Sequence, residues 1–367
     1  MAHIRKRGPR RWEVSVHVGG GKRRWRSVRG TKRQAERVAA RLEEDVQSGA
    51  LVEPTVATLG TYLEQWLETH VRLHNAPRTY QDYRYHVERF LQPRLGHLRL
   101  AQLRPLHLQG LYVELRQQGL TRTVDYVHQV IRKALNDAVR LQVLTRNPAL
   151  GARPPRSRPQ PADIPTVEVV RAALAAIRGT DLDLPIRLAV TTGVRPGELV
   201  ALRWRDLDLE AGRARIRQSL QRIKGKGLVF APTKTHRSTR TIALDAGVVQ
   251  HLKEHRTSQA ARRQELGPLY DDLDLVFAQA DGRPVASGVM LNRFQRALRG
   301  AGLPAIRIKD LRHVHASIML SEGVHPRVVQ EQLGHASITL TLDTYSHVTP
   351  GIQSEAVQRV GKVLDAQ

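Results

Sequence analysis

A proline-rich stretch near the middle of the chain constrains the fold more than any other feature of the sequence. Residues 153–161 read Arg-Pro-Pro-Arg-Ser-Arg-Pro-Gln-Pro. Proline has no backbone N–H and biases the residue before it towards extended backbone, so neither a helix nor a central strand is expected to cross this stretch. We therefore predict a basic linker over 151–164. The 367 residues are enough for two or three domains on either side of it.

The first fifty residues predict a small β unit followed by one helix. Apolar and polar residues alternate from Trp12 to Val18, three glycines follow, and a second strand-like run ends at Val28. Thr31 begins a segment with helical spacing. A two-stranded ribbon fits the major groove of DNA, although a solvated basic surface has the same composition. The basic candidates for contact with DNA are Arg10, Arg11, Lys22, Arg23, Arg24 and Arg26.

The next segment, residues 55–150, predicts four helices and no strand, because its apolar residues recur only at helical spacing. Basic side chains lie between these apolar positions, where they are either phosphate contacts or ordinary surface residues. The candidates for contact with DNA are Arg78, Arg122, Arg132 and Lys133.

Residues 165–350 mix helices with a short β meander, in which residues 233–238 form the turn between the last two strands. We predict these strands near 213–219, 227–231 and 239–244. The final residues, 351–367, carry apolar side chains at helical spacing, which predicts a helix that docks on a neighbouring copy or on its own domain.

Charge and composition narrow the classes of function. Lys and Arg number 59 against 34 Asp and Glu, which gives a net charge of +25 and favours a polyanionic partner such as a nucleic acid. A basic scaffold or ribosome-associated protein has the same balance. The absence of cysteine excludes disulfides, a thiolate nucleophile and Cys-ligated metals. No apolar stretch has the length of a membrane span and no secretion signal is present, so we expect a soluble, intracellular protein without a membrane partner.

Three short motifs carry candidate chemistry. Arg195 lies at a predicted helix start, where a guanidinium and backbone N–H groups can bind an oxyanion, and Glu198 one turn later could orient it; a simple helix cap is the alternative. Lys309 and Arg312 share one helical face and need an anion between them. His313 beside them is either packed or reactive. The third motif contains Leu333-Gly334-His335 and, ten residues after the histidine, Tyr345.

The order and spacing of these motifs resemble the tyrosine recombinase family, which includes the phage-type integrases. Residues 191–199 resemble the family's first sequence box, and residues 333–337 with 342–348 resemble its last. The resemblance covers nearly the whole chain. It implies a multidomain, mainly α fold with small β elements. The implied parts are an arm-type DNA-binding domain of three strands plus a helix over 1–50, a helical, SAM-like core-binding domain over 55–150, and an α+β catalytic domain over 165–350.

The resemblance also implies a role for each residue. Arg195 and Arg312 clamp the phosphate oxygens of a DNA phosphodiester, and planar guanidinium groups suit this task. Tyr345 attacks phosphorus and forms a 3′-phosphotyrosine. Lys234, on the turn between two strands, donates a proton to the leaving 5′-oxygen, with Lys224 and Lys226 as less favoured alternatives. His335 donates a hydrogen bond to a phosphate oxygen.

One position departs from the family pattern. Most members carry histidine three residues before the second arginine, where this chain has Lys309. A lysine of ordinary pKa is a hydrogen-bond donor and no base, so the group that accepts the tyrosine proton stays open. Lysine at this place is also found in the related type IB topoisomerases.

The implied function is site-specific recombination that integrates or excises a phage or another mobile element without ATP, metal or cofactor. The clustered carboxylates that metal-dependent polynucleotidyl transfer requires are not found beside Arg195 or Arg312. The implied partners are double-stranded DNA attachment sites, three further copies of the chain in a tetramer, and an accessory DNA-bending or directionality factor. The expected location is the cytoplasm, on the nucleoid when bound to DNA. A relaxing topoisomerase and an inactive DNA-binding regulator are the alternatives.

Overall fold

The computed structural model describes residues 2–17, 23–47, 57–155, 164–233, 239–334 and 337–338. The chain divides into two compact units, Met1–Gln160 and Pro161–Gln367. Helices predominate in both units, and the described strands form small antiparallel sheets. The predicted fold class, mainly α with small β elements, is confirmed.

The first unit begins with a three-stranded sheet whose centre is β2. The strands are β1 (His3–Gly8), β2 (Arg11–His17) and β3 (Arg23–Arg29), and helix α1 (Lys32–Gln47) follows them. Helix α1 packs on one face of the sheet because Val14 and Val16 of β2 meet Ala35, Ala39 and Leu42 of α1 in a shared hydrophobic core. Among the described residues, no helix packs on the opposite face of the sheet, which we call the helix-free face.

The remainder of the first unit is helical, as predicted. The helices are α2 (Leu59–Trp66), α3 (Arg72–His74), α4 (Pro77–His86), α5 (Gln92–Leu95), α6 (Pro105–Gln117) and α7 (Thr121–Arg140). A π-helical turn at Leu67–Val71 joins α2 to α3, and another at Val87–Leu91 joins α4 to α5. The six helices α2 to α7 therefore form four continuous helical segments.

Polar contacts of buried aromatic residues connect α2 to α7. The Trp66 indole N–H donates to the Asp137 carboxylate at 2.9 Å, and the Tyr62 hydroxyl donates to the Ala134 carbonyl at 2.7 Å. Both rings are buried in the core of this helical part. A buried tyrosine or tryptophan is stabilised when its polar atom finds such a partner.

The second unit surrounds one large hydrophobic core to which Val248, Phe294 and Leu311 contribute. Its helices are α8 (Val167–Ala176), α9 (Asp183–Thr192), α10 (Pro196–Leu199), α11 (Ala246–Leu266), α12 (Ser287–Gly300), α13 (Ile308–Ser321) and α14 (Pro326–Leu333). Helix α13 packs against both α9 and α14. Helices α9 and α14 each end at a glycine in the left-handed region, Gly193 with φ 65° and Gly334 with φ 66°. Left-handed glycines of this kind are a common way for helices to end.

The strands of the second unit form two small sheets. The first contains β4 (Leu207–Asp208), β5 (Arg213–Ile216) and β8 (Arg240–Ala243), and the second contains β6 (Gln218–Ile223) and β7 (Gly227–Pro232). Strand β7 pairs with β6, so that Gln218 faces Pro232, whereas β8 pairs with β5, so that Ile216 faces Arg240.

The predicted meander is therefore wrong in its connections. Residues 213–223 form two strands, β5 and β6, rather than one. Strand β7 pairs with β6 and strand β8 pairs with β5, so β7 and β8 do not pair with each other. The pairing of β7 with β6 reaches Pro232, and the pairing of β8 with β5 begins at Arg240. Local alternation could not reveal this because it reports which face a side chain occupies and carries no information on the partner strand.

Candidate active site

Arg195 lies between the end of α9 and the start of α10, where hydrogen bonds from Nη1 and Nη2 hold its guanidinium in place. Its Nη1 donates to Glu198 Oε1 at 2.7 Å, its backbone N–H donates to Glu198 Oε2 at 3.1 Å, and its Nη2 donates to the Gly334 carbonyl at 3.2 Å. The side chain is 40% exposed. Arg195 is therefore oriented by the protein and still accessible to a ligand.

Arg312 approaches the same place from α13. Its Nη1 donates to the Gly193 carbonyl at 2.8 Å and its Nη2 donates to the Leu333 carbonyl at 2.6 Å. The residue is only 8% exposed. The structure thus brings together two arginines that are far apart in the sequence, and both contact the turn at the end of α14.

A third arginine contacts the same turn. Arg240, the first residue of β8, donates from Nε to the Gln332 carbonyl at 2.7 Å. Three consecutive carbonyls, those of Gln332, Leu333 and Gly334, therefore accept hydrogen bonds from Arg240, Arg312 and Arg195. The last carbonyls of a helix lack partners within the helix and carry the negative end of its dipole, which favours cations there.

Glu198 is the one carboxylate that hydrogen-bonds these arginines among the described residues. Its side chain is buried, and its Oε2 also accepts a bond from Arg240 Nη2 at 2.9 Å. Burial by itself raises the pKa of the Glu198 carboxyl, but the nearby guanidinium groups of Arg240 and Arg195 outweigh this effect and hold the pKa below its ordinary value. In the part of the chain that the structure describes, one carboxylate thus accompanies three guanidinium groups, an arrangement that suits a phosphate-like oxyanion.

The other predicted residues of α13 differ in their positions. Lys309 is exposed in the first turn of the helix, and Arg312 lies three residues later. His313 is half-buried. Burial lowers the pKa of His313, and the charges of Arg312, Lys309 and Arg307 add to this effect while Asp310 opposes it. His313 is therefore favoured as a neutral imidazole at neutral pH.

Several predicted site residues belong to segments outside the described part of the chain. Lys22, Lys234, His335 and Tyr345, and with them the C-terminal segment 351–367, lie outside the described residues. The chain positions next to them are described. Thr233 and Thr239 border the segment that contains Lys234, and Gly334 directly precedes His335.

The basic residues of the first sheet are divided between its two faces. Directly paired residues of an antiparallel sheet share a face. Arg11 pairs with Arg29 and Arg23 pairs with His17 on the helix-free face, whereas Arg24 and Arg26 pair with Val16 and Val14 on the face that α1 covers. Arg10 is exposed in the turn between β1 and β2. The candidates for DNA contact in this sheet are thus not one continuous patch.

In the helical part, the four candidate cations are not equivalent either. Arg122 and Arg132 are exposed on α7, while Arg78 pairs with Asp82 at 3.2 Å. Lys133 is partly buried, with its ammonium 5.4 Å from the centre of the Tyr83 ring and 3.4 Å from Asn75 Oδ1. The contacts of Lys133 are those of a residue that stabilises the helical part.

Sequence reasoning missed two residues that the structure makes prominent. Trp25 is 52% exposed on the helix-free face of the sheet, between Arg23 and Arg29. Its position two residues after Arg23 was the available signal, because side chains two apart share a face of a strand. Arg240 gave no local signal, since its partners are 42 and 92 residues away in the sequence.

The described residues hold neither a candidate metal site nor a helix that could span a membrane. They contain no group of three or more His, Asp or Glu side chains arranged to hold a metal ion. Within the same residues, no helix combines the length and apolar character needed to cross a bilayer. A cavity of about 940 Å³ is lined in part by Arg187, Arg222 and Arg293, and none of the arginines that contact α14 lines it.

Comparison with known families identifies the chain. The model of the Phage integrase family matches residues 166–351, slightly more than half of the chain, and the model described as phage integrase, N-terminal SAM-like domain matches residues 58–116. The chain therefore belongs to the phage integrase family and is an enzyme of the tyrosine recombinase type.

Relatives align along almost the full length. A tyrosine recombinase XerC-like protein of Caldanaerobacter subterraneus is 27% identical, with 98% of this chain and 98% of the relative covered. The ICEBs1 integrase of Bacillus subtilis is 23% identical over 96% of this chain and 97% of its own length.

Solved structures share the fold. The Tn1549 transposon integrase, in complex with a circular intermediate DNA, superposes with a TM-score of 0.70 at 20% identity and covers 83% of this chain and 99% of its own. A lambda integrase tetramer bound to a Holliday junction gives a TM-score of 0.58 at 17% identity, covering 92% and 96%.

The close packing at the end of α9 predicts that Gly193→Ala is strongly destabilising. A Cβ on Gly193 would lie 2.6 Å from Leu333 Cδ2 and 2.8 Å from His315 Cδ2, and the backbone is in the left-handed region. We expect a loss of about 2–4 kcal/mol, from left-handed strain together with overpacking. Gly179→Ala is the matched control, because Gly179 has φ +74° and no atom within 4 Å of its Cβ. Urea unfolding of both variants measures the difference, and equal losses would contradict the packing described.

The buried His315 predicts a loss of stability in mild acid. Its Nδ1–H donates to the Val190 carbonyl at 3.1 Å, its Nε2 has no partner among the described residues, and burial lowers its pKa to about 4. The unfolded chain binds a proton near pH 6.5 and the folded chain does not, so stability decreases as the pH falls through this window. Between about pH 7.5 and about pH 5 the loss amounts to about 2 kcal/mol.

The substitution His315→Gln removes the titrating group and tests this prediction. We expect the free energy of unfolding of the variant to change with pH by about 2 kcal/mol less than that of the wild type. Urea unfolding of both proteins across this pH range measures the difference, and hydrogen exchange in α13 provides a second measurement. The same pH dependence in both proteins would show that His315 is not the group responsible.

Proposed function

We propose that the chain cuts and rejoins DNA strands at short attachment sites and thereby integrates or excises a phage or another mobile element. The observation that carries this proposal is the convergence of Arg195 and Arg312 on consecutive carbonyls directly before His335. Family membership supports the reaction class, and the fixed guanidinium groups provide a place for a phosphodiester.

In the proposed reaction, Tyr345 is the nucleophile. Its deprotonated phenolate oxygen attacks phosphorus and forms the 3′-phosphotyrosine bond while the bond to the 5′-oxygen breaks. Lys234 donates a proton to that leaving oxygen, and His335 donates a hydrogen bond to a non-bridging oxygen. Because the phosphotyrosine bond retains the energy of the broken phosphodiester, a second 5′-hydroxyl can reverse the step without ATP.

Arg195 and Arg312 stabilise the charge that builds on the non-bridging oxygens during attack. Preorganised cations stabilise a transition state more than the ground state when they lie where charge develops. The bonds of Arg195 to Glu198 and of Arg312 to Gly193 fix both guanidinium groups beforehand. Lys309, exposed one turn before Arg312, provides a further donor to the phosphate.

We propose that each segment of the chain has the function that the sequence indicates. Residues 1–50 bind arm-type DNA sites, and residues 55–150 bind the core site next to the cleavage position. Residues 151–164 link these two parts to the catalytic domain over 165–350. Residues 351–367 dock on their own domain or on a neighbouring copy. The helix-free face of the first sheet, with Arg11, Arg23 and the exposed Trp25, is the surface proposed to enter the major groove.

The proposed assembly is a tetramer on two DNA duplexes, by analogy with the lambda integrase tetramer bound to a Holliday junction. An accessory DNA-bending or directionality factor belongs to the same proposal. The proposed location is the cytoplasm, with the protein on the nucleoid when bound to DNA.

Covalent trapping tests the assignment of the nucleophile. A duplex from the flanks of the element is nicked just 3′ of the candidate cleavage position, so that the short 5′-hydroxyl fragment diffuses away and the adduct accumulates. We expect a covalent protein–DNA adduct that maps to Tyr345 and is lost in Tyr345→Phe. Denaturing gels and peptide mapping measure it.

Tyr270→Phe is the control, because this tyrosine lies in the same unit and its adduct yield is expected to equal that of the wild type. An adduct at Tyr270 would show that the assignment of the site is wrong. Binding without any adduct would favour an inactive DNA-binding regulator. Rejoining that never links two different duplexes would favour a relaxing topoisomerase.

The proposed DNA face of the first sheet predicts a change in salt dependence. Each phosphate contact contributes about 0.9 to the slope of log affinity against log salt concentration. The double variant Arg11→Gln/Arg23→Gln is expected to reduce this slope by about 2. The control Arg33→Gln/Arg37→Gln makes the same charge change at exposed positions of α1. Equal slopes for the two double variants would contradict the proposed face.

A further inference from the structure

Arg240 is the first residue of β8 and pairs with Ile216 at the end of β5. The backbone N–H of Thr233 donates to the Arg217 carbonyl at 3.2 Å, and Arg240 pairs with Ile216 on the adjacent position of the same stretch. The Thr233 and Thr239 hydroxyls lie 2.8 Å apart. The backbone of Arg240 is therefore fixed by its pairing with Ile216, next to a hydroxyl contact between Thr233 and Thr239.

The side chain of Arg240 joins two parts of the arginine site. It is 8% exposed, its Nε donates to the Gln332 carbonyl at 2.7 Å, and its Nη2 donates to Glu198 Oε2 at 2.9 Å. The first contact reaches the end of α14, and the second reaches the carboxylate that orients Arg195.

The two oxygens of Glu198 divide their contacts between the two arginines. Oε1 accepts the bond from the Arg195 guanidinium at 2.7 Å, while Oε2 accepts from Arg240 and from the Arg195 backbone N–H. A carboxylate held on both oxygens cannot rotate without breaking a charge-assisted bond. Removal of Arg240 would leave Oε2 with the Arg195 backbone N–H and without its charge-assisted bond, and would thereby loosen the position of the Arg195 guanidinium.

We propose that Arg240 is a positioning residue for DNA cleavage. Through Glu198 it holds the Arg195 guanidinium in the orientation that receives the phosphate, and through the Gln332 carbonyl it holds the turn on which Arg195 and Arg312 meet. This inference rests on the proposed function of the arginine site. The Arg240 side chain is buried and bonded to Gln332 and Glu198, so in this proposal it acts on the phosphate through these residues rather than by direct contact.

The test compares each protein on two nicked duplexes, one with the ordinary scissile phosphate and one with a methylphosphonate at that position. The methyl group replaces a charged non-bridging oxygen, so a cation that stabilises this charge contributes less on the second duplex. The ratio of the two cleavage rates within one protein does not depend on the fraction that is correctly folded. A loss of stability alone therefore leaves the ratio unchanged.

We expect Arg240→Gln to slow cleavage of the ordinary phosphate by about 10-fold to 100-fold and cleavage of the methylphosphonate by less than about threefold. Arg240→Lys keeps the charge but not the two-armed geometry, so an intermediate loss is expected. Adding Glu198→Gln to Arg240→Gln is expected to cause little further loss, because both changes act on the same guanidinium.

Arg215→Gln is the matched control, since Arg215 is exposed on β5 of the same sheet, and it is expected to leave both rates unchanged. An equal loss on both duplexes, or full activity of Arg240→Gln on the ordinary phosphate, would overturn the positioning role. Failure of the proposed function looks different, because the wild type would then form no adduct at Tyr345 on either duplex.

Discussion

The C-terminal end of α14 provides the contacts on which the arginine site depends. Its last carbonyls, at Gln332, Leu333 and Gly334, have no partners within the helix and accept hydrogen bonds from Arg240, Arg312 and Arg195. These arginines come from β8, α13 and the loop before α10, so elements distant in the sequence meet at one helix end. The negative end of the helix dipole lowers the repulsion among the three guanidinium groups.

A site built in this way is stable before its substrate arrives and still attracts an anion. Burying a cation without a partner is costly, and the carbonyls together with Glu198 satisfy part of that requirement. Among the described residues, one carboxylate hydrogen-bonds two of the three arginines, Arg195 and Arg240, and the Arg195 guanidinium is 40% exposed and therefore accessible to an anion. In the proposed reaction, a phosphodiester brings negative charge to this place, and more of that charge develops as the transition state forms.

Much of this organisation could be predicted from the sequence because the signals were local. Alternation from Trp12 to Val18 gave the strand at the centre of the first sheet, helical spacing gave the helices of residues 55–150, and the proline-rich stretch coincided with the division between the two units. The spacing of Arg195 and Glu198 also placed the carboxylate correctly beside the guanidinium.

The features that could not be predicted depend on contacts between distant residues. Strand β1 contains a single apolar side chain, Ile4, and exists because it pairs with β2. The break between β5 and β6 and the role of Arg240 follow from partners far along the chain. The strand pattern alone does not say which face of the first sheet α1 covers. Arg24 and Arg26 lie on the covered face, whereas Arg11 and Arg23 lie on the other face.

The most direct measurement of the central claim is a structure of the covalently trapped protein–DNA complex. The predicted result places the phosphate that joins Tyr345 to DNA within hydrogen-bond distance, about 3 Å, of both the Arg195 and the Arg312 guanidinium groups. A phosphotyrosine whose non-bridging oxygens are held by other cations, with Arg195 and Arg312 still bound only to the protein, would contradict the claim.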